Sequence, residues 1–368
     1  MGLTVNGMAP PIYPIVSYQC RDDSTASRSS VDSDTLTASR PRTSCLINNY
    51  NYAEYLCDAV ESALEQNQAF DEIIVVDDGS TDDSLRRLRR RFGTRNRLRV
   101  VAKQQGGQLS CMQHALQFAT GDLIFFLDSD DLQQPGLNGE VQAIYRQRPS
   151  VDFVSVGYSP FGPHASCRKR VDLTRDRGIS AIAAILHRRW VGAPTSCLSM
   201  RSALLRQILP YPHASAWQTR ADDVLVLGSS IIGAHKYHLE RPLVQYRLHG
   251  QNNIAGKTWS PAYKMRYSLE VNRMIQWYVQ KMGYELSTLA RLSPKEFRTI
   301  ERPRVKELIH YLRMAMHYSV PWDIRIGNLI SVIRHYTVEN ARSGRVLTTE
   351  QLPKQAVTPA AMATRAAA

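Results

Sequence analysis

Several things are missing from this chain, and each absence removes a class of function. None of its 368 residues belongs to an apolar run of the roughly 18–20 residues that a membrane-spanning helix needs. The six cysteines (Cys20, Cys45, Cys57, Cys111, Cys167 and Cys197) form no CxxC pair and have no histidines at matching spacing. That pattern excludes a zinc module and a disulfide framework, and it reads as buried free thiols. The first residues lack a basic leader, and Pro10, Pro11 and Pro14 break their only apolar patch, so no signal peptide is expected. Asn6 stands where a myristoylation signal has Ser or Thr. The expectation is a cytoplasmic protein, resting at most peripherally on the inner face of a membrane.

Acidic residues are also in deficit. Lys and Arg number 46 against 33 Asp and Glu, a formal charge of +13, and residues 261–368 alone hold 17 against 8. A basic surface attracts nucleic acid, anionic membrane or phosphorylated substrates, and net charge does not choose among them. The arginine run from Arg86 to Arg99 falls on an amphipathic helix with Leu85, Leu88 and Phe92 facing inward, which reads as a solvated basic face. Base-reading modules are absent, so no specific nucleic-acid partner is expected.

The most informative stretch is Leu123–Asp131, LIFFLDSDD, an apolar run that stops on three carboxylates. Such a run reads as a strand buried on both faces of a parallel sheet, and open α/β sheets bind ligands at that carboxyl end. Asp128 and Asp130, two residues apart on extended backbone, can face one site, and a hard divalent cation relieves their repulsion. Around it, strands are predicted at 43–48, 72–77, 98–102, 123–127 and 153–158, alternating with helical periods. One of these helices runs from the glycine turn 106–107 to a terminating Gly121. The fold class is α/β, a mostly parallel sheet flanked by helices. Residues 1–40 read as a mobile leader and 41–255 as the main domain. Residues 256–343 read as a basic extension with two or three helices, and 344–368 as a disordered tail.

Four ordered signatures then resemble a family-2 glycosyltransferase of the GT-A fold, bacterial type. They are NNYN (48–51), VVDDGSTDDS (75–84), FLDSDD (126–131), and ADDVLVLGSSIIG (221–233) followed by YRLHG (246–250). KQQGGQLSCMQHAL (103–116) resembles a subgroup with a Gly-Gly-Gln turn. The resemblance implies transfer of a sugar from a nucleotide-sugar donor, a UDP-sugar favoured, to a hydroxyl on a glycan or lipid-linked acceptor. The family's common setting is surface glycan or polysaccharide synthesis. It implies Asp130 as direct ligand of Mn²⁺ or Mg²⁺, Asp128 on the ribose or the metal shell, and His249 completing the coordination. Asn48, Asn49, Tyr50, Asp77, Asp78, Gly106 and Gly107 would hold the nucleotide. The Asp222–Asp223 pair would supply the general base for an inverting displacement, Asp223 favoured. Trp217, just before the acidic pair, suits stacking on the acceptor sugar or a place in the core, with the site slightly favoured.

Three other readings are weaker. A haloacid-dehalogenase-type phosphohydrolase needs an early DxD nucleophile strand, which is missing. A sugar nucleotidyltransferase needs a glycine-rich basic loop after the first strand, where this chain has NNYNYAEYL. A non-catalytic binding or docking module predicts loss of Asp130 or of the acidic pair, and both are present. The basic helices beyond 256 are expected to meet a membrane, the acceptor or a partner.

Overall fold

Runs that are apolar at every position settle where both faces of a strand are covered. The computed structural model describes residues 40–165, 172–250, 252, 257–317 and 320–349. Residues 1–39, including Cys20, and residues 166–171, including Cys167, lie outside this description. The apolar runs become β1 (Thr43–Asn49), β2 (Glu72–Asp77) and β4 (Leu123–Asp128), while β3 (Leu98–Ala102), which carries Arg99, forms the sheet edge and buries none of its residues. Pairing is parallel throughout this half: β3 on β2, β2 on β1, β1 on β4. The connections contain α1 (Leu56–Leu64), α2 (Ser84–Phe92) and α3 (Gln108–Ala115). Leu56, Ala59, Val60 and Ala63 of α1 are buried at the predicted helical spacing. α2 buries Leu88 and Phe92 and leaves its arginines exposed. α3 stops at Ala115, short of Gly121. That glycine is required for another reason, because a Cβ there would lie 2.4 Å from the Ser44 hydroxyl of β1.

The second half of the sheet is mixed. It contains β5 (Leu132–Gln133), β6 (Phe153–Phe161), β7 (Arg175–Gly178), β8 (Leu198–Arg201) and β9 (Lys236–Arg247). The strand order is β3-β2-β1-β4-β8-β6-β9-β5, with β7 also on β9. β8 runs antiparallel to both β4 and β6, while β6 and β9 run parallel. Pro242 cannot donate to a ladder, and it sits opposite Gly157 where the β6–β9 register shifts, the irregularity that lets β9 continue. Beyond it Gln245 pairs with Leu132 of β5, which carries the segment after Asp131 against the one before His249. α4 (Leu137–Gln147), α5 (Ala181–His187), α6 (Ser202–Ile208) and α7 (Ala221–Ile232) pack on this sheet or beside it.

Among the described residues five α-helices follow, two of them very short: α8 (Pro261–Lys281), α9 (Leu286–Leu289), α10 (Ser293–Phe297), α11 (Val305–Ala315) and α12 (Trp322–Thr349). α8 places Met274, Ile275 and Tyr278 in the main core. α10 to α12 build a smaller core from Phe297, Tyr311, Met314 and Val332 around Ile182 and Ala183 of α5. α12 runs past Gly344 to Thr349, and the rest of the tail lies outside the described residues.

Glu307 of α11 is the buried centre of this attachment. Its carboxylate receives both terminal nitrogens of Arg175 at 2.8 Å, Arg189 at 2.6 Å and the Arg304 backbone N–H at 2.8 Å. Burial alone would raise its pKa, but the Arg175 hydrogen bonds and the charges of Arg175 and Arg189 outweigh that and push it down to about 2. Glu307→Ala leaves two guanidinium groups without their anion, so urea unfolding is expected to show a loss of about 3–5 kcal/mol. The depressed carboxyl contributes stability above its ordinary value of 4.5, lost as pH falls toward about 2. An unchanged unfolding midpoint in the variant would remove the clasp from the account.

Candidate active site

β1, β2 and β4 are parallel neighbours, so their carboxyl ends share one edge, and the polar residues that follow them collect there. A cavity of about 570 Å³ opens at that edge. Asn48, Asn49, Tyr50, Asp78, Gly106, Gly107, Asp128, Asp130 and Asp222 all line it, so nine of the predicted residues come together from five separate segments.

The glycine turn is organised by Asp78. Its carboxylate accepts the Gly106 and Gly107 N–H groups at 2.9 and 2.7 Å and pairs with Lys103 at 2.6 Å. Gly107 has a left-handed φ of 89°, and a Cβ there would lie 2.3 Å from the Gln218 backbone. This close approach lets Gln108 open α3 facing the cavity. The Gln108 side chain donates to Asp128 at 2.7 Å and accepts the Ala221 N–H of α7 at 2.9 Å. One amide therefore ties the end of β4 to the start of α7.

The carboxylates after β4 divide their work. Asp131 is buried and holds the loops, accepting the Ser196 hydroxyl at 2.6 Å and the Arg247 N–H at 2.8 Å. Asp128 and Asp130 face the cavity. Burial first, and then the Asp130 charge, push the Asp128 carboxyl up to about 7. His249 Nε2 lies 3.1 Å from Asp130 Oδ2, with Tyr52 and Tyr55 packed on the imidazole. Among the described residues no three His, Cys, Asp or Glu side chains are arranged to hold a metal. The expected set of Asp128, Asp130 and His249 is thus brought close without forming a three-ligand cage, and His249 orients Asp130 through its Nε2. Two crowded carboxylates still suit a hard cation, which takes one or two protein carboxylates and completes its shell with water and phosphate oxygens. Tyr52 and Tyr246 also face the cavity, and burial followed by the aspartate charges raises both hydroxyl pKa values, which keeps them neutral donors.

At the start of α7, Arg220 adopts a left-handed φ of 67°, a strained conformation for a side chain of this size. Its Nε donates to Asp223 at 2.7 Å, its guanidinium lies over the Tyr267 ring, and the Tyr267 hydroxyl donates to Asp223 at 2.8 Å. Asp223 is therefore buried and doubly held, and it faces a second cavity of about 360 Å³ that includes Trp190, Arg188 and Tyr267. Asp222 lines both cavities. Burial, then the charges of Asp223 and Asp128, push its carboxyl up to about 7. The sequence favoured Asp223 within the pair; the geometry gives the position between the cavities to Asp222.

Two predicted residues sit elsewhere. Asp77 is buried behind the cavity wall, accepting Asn49 Nδ2 at 2.8 Å and both the N–H and hydroxyl of Ser80. Its turn-forming role is realised and contact with the cavity is not. Trp217, 2 % exposed, belongs to the main core and lines neither cavity; its neighbour Gln218 does. The sequence reading passed over Gln108, Tyr52, Thr195, Arg220 and Tyr246. Gln108 lay inside the quoted Gly-Gly-Gln run, and Arg220 immediately precedes the acidic pair's helix. Thr195 carries no local signal, since only the antiparallel β8 brings it to the edge.

Comparisons with known proteins bear on the family and the fold. Residues 44–206 match the family model for Glycosyl transferase family 2. An uncharacterised glycosyltransferase of Nostoc sp. is 28 % identical over 299 residues, 77 % of this chain and 84 % of that one. A chondroitin synthase of Pasteurella multocida is 39 % identical over 95 residues, 26 % of this chain but only 10 % of that synthase. The structure of S. aureus TarS 1-349 in complex with UDP-GlcNAc superposes with a TM-score of 0.52, covering 82 % of this chain and 92 % of that chain. Sequence identity there is 18 %, so the likeness is one of fold.

The glycine turn gives a direct test. Gly107→Ala meets both a left-handed φ and a fixed backbone, and is expected to cost at least about 2 kcal/mol and to displace Gln108. Gly93 also has a positive φ, of 58°, but open space around it, so Gly93→Ala should cost only its backbone strain, about 1–3 kcal/mol, and less than Gly107→Ala. Equal losses for the two variants in thermal melts would show that the contact with Gln218 does not matter.

Proposed function

The chain is a family-2 glycosyltransferase on the GT-A fold, and from that basis we propose an inverting transfer of a sugar from a UDP-sugar to a hydroxyl acceptor, assisted by Mn²⁺ or Mg²⁺. The observation that carries the reading is the position of Asp222, on the wall shared by a cavity containing Asp128 and Asp130 and by a second, smaller cavity. A leaving-group site and an acceptor site are thereby joined at one carboxylate.

The donor occupies the larger cavity. Tyr50, Asn48 and Asn49 bound the nucleoside end, while Gly106 and Gly107 allow close approach of the backbone. Asp130 and Asp128 would hold the divalent cation near the diphosphate, with His249 fixing the Asp130 carboxylate. A bound cation supplies positive charge against the negative charge that grows on the departing diphosphate. The acceptor enters through the smaller cavity, where Trp190 and Tyr267 offer aromatic surface to a sugar ring. Asp222 takes the acceptor's hydroxyl proton as the oxygen attacks the anomeric carbon from the face opposite the leaving group. One displacement inverts that centre, and no second carboxylate nucleophile is required. Asp223, neutralised by Arg220 and bonded by Tyr267, positions its neighbour.

The family setting supports a glycan or lipid-linked acceptor in polysaccharide synthesis, reached from the cytoplasmic side with the C-terminal helices against the membrane. No helix among the described residues is long and apolar enough to cross it. The transferase domain is assigned to 41–255 and the helical extension to 256–343.

Calorimetric titration with UDP, GDP and dTDP, with and without Mn²⁺, tests the donor site. UDP is expected to bind in a metal-dependent manner that Asp130→Ala abolishes. Failure of well-folded protein to bind any nucleotide would hand the site to a docking role. For the chemistry, Asp222→Asn should retain UDP binding and lose about 10²–10⁴ in transfer rate. Asp222 accepts a proton only when ionised, so the wild-type rate should climb with pH up to about 7 and then level. Full activity of Asp222→Asn beside an inactive Asp223→Asn would return the base to Asp223.

A further inference from the structure

The last two helices carry large apolar side chains on their outer faces. On α12, Trp322, Ile326, Ile330 and Ile333 are 68 %, 61 %, 61 % and 48 % exposed. Spacings of four, four and three residues place them on one stripe, within about 80° of helix arc. α11 repeats the pattern with exposed Val305 and Ile309, and with Met316 at its C-terminal cap. Other faces of the same helices contribute Tyr311, Met314 and Val332 to the buried core, so both helices are anchored while these stripes point outward.

Charge borders the stripes. On α11 the exposed Lys306 and Arg313 follow helical spacing alongside Ile309, and on α12 Arg334 is exposed next to Ile333. Arg325 lies 4.4 Å from the Trp322 ring centroid. Asp323 is exposed at the start of α12, against this otherwise basic border. We propose that this face docks on an anionic phospholipid bilayer, with α11 and α12 lying in the plane of the interface. Apolar side chains flanked by Lys and Arg, with a Trp at one end, suit the boundary between headgroups and acyl chains. A second copy of the chain suits it less well, because a two-fold contact would set this basic border against itself. The inference gives the proposed membrane-side acceptor reading a docking surface, yet vesicle binding can be scored whether or not the chain transfers sugar.

The test is co-sedimentation of the full chain with vesicles of equal parts phosphatidylglycerol and phosphatidylcholine, and with phosphatidylcholine alone. Wild type should partition onto the mixed vesicles at least about tenfold better than onto the neutral ones, with the difference shrinking in high salt. Ile326→Asp combined with Ile330→Asp should release the protein, and Lys306→Glu and Arg334→Glu should each weaken binding about fivefold or more. Circular-dichroism melts matching wild type would show that the outward-facing changes leave the fold intact. Wild type that stays in the supernatant with anionic vesicles would overturn the proposal. So would a dimer on gel filtration that the double aspartate variant splits, since the stripe would then be a contact between copies.

Discussion

Four carboxylates, Asp128, Asp130, Asp131 and Asp222, crowd one edge of the sheet, and their mutual repulsion is the constraint around which the neighbouring structure is arranged. Burial first, and then neighbouring carboxylates (Asp130 for Asp128, Asp223 and Asp128 for Asp222), push both groups up to about 7. The edge persists because hydrogen bonds from every side fix the groups. Ser196 and the Arg247 N–H hold Asp131, Gln108 holds Asp128, and His249 holds Asp130. Arg247 also donates to the Asp130 carbonyl at 2.7 Å while its guanidinium lies between Tyr55 and Phe161. A cluster held this tightly cannot relax by moving apart, so it remains a place where positive charge is strongly favoured.

The topology brings those restraining groups to the edge. The parallel half delivers Asn48, Asp78 and Asp128 at the ends of β1, β2 and β4. The mixed half brings the rest. β8 enters antiparallel beside β4, with Thr195 and Ser196 in the short 3-10 turn just before it, and the β5–β9 pairing draws Arg247 and His249 toward Asp130. Neither half would make the site alone. Gln108, bonded to Asp128 and to the first N–H of α7, joins them across the cavity floor.

Much of the parallel half was legible in the sequence, because continuous apolar runs and helical periods are local signals. β1, β2 and β4 fall where the apolar runs do, and α1 buries the residues its spacing indicates. β5, β7 and β8 were not legible. They are two to four residues long, RDRG of β7 is almost wholly charged, and their pairing partners lie far away in sequence. β9 was obscured by Pro242, which argues against a strand until a register shift opposite Gly157 is known. At the site, motif residues emerged wherever a carboxylate or glycine ends a strand. Trp217 shows the opposite limit: an aromatic residue before an acidic pair has the same local pattern whether it faces a cavity or the core. Asp77 and Asp78 likewise look equivalent in sequence. Their side chains leave the chain in different directions, so one locks the Ser80 turn and the other organises the Gly-Gly-Gln turn.

The C-terminal helices are joined to the smaller cavity more closely than their composition suggests. Composition shifts near residue 255, but packing does not break there, since α8 shares the main core and supplies Tyr267 to Asp223. Farther along, Glu307 of α11 grips Arg189, whose neighbours Arg188 and Trp190 both line the smaller cavity. Arg188 holds a left-handed φ of 50°, a conformation a non-glycine residue keeps only when its surroundings enforce it. Arg189 anchored on a buried carboxylate is such an enforcement. α8 and α11 thus shape the wall of the smaller cavity without contributing a residue to the larger one, while α7 supplies Asp222 to both. The two cavities share Arg220 and Asp222 and differ in the rest of their support: the smaller leans on α8 and on the Glu307–Arg189 pair, the larger on the carboxyl ends of β1, β2 and β4.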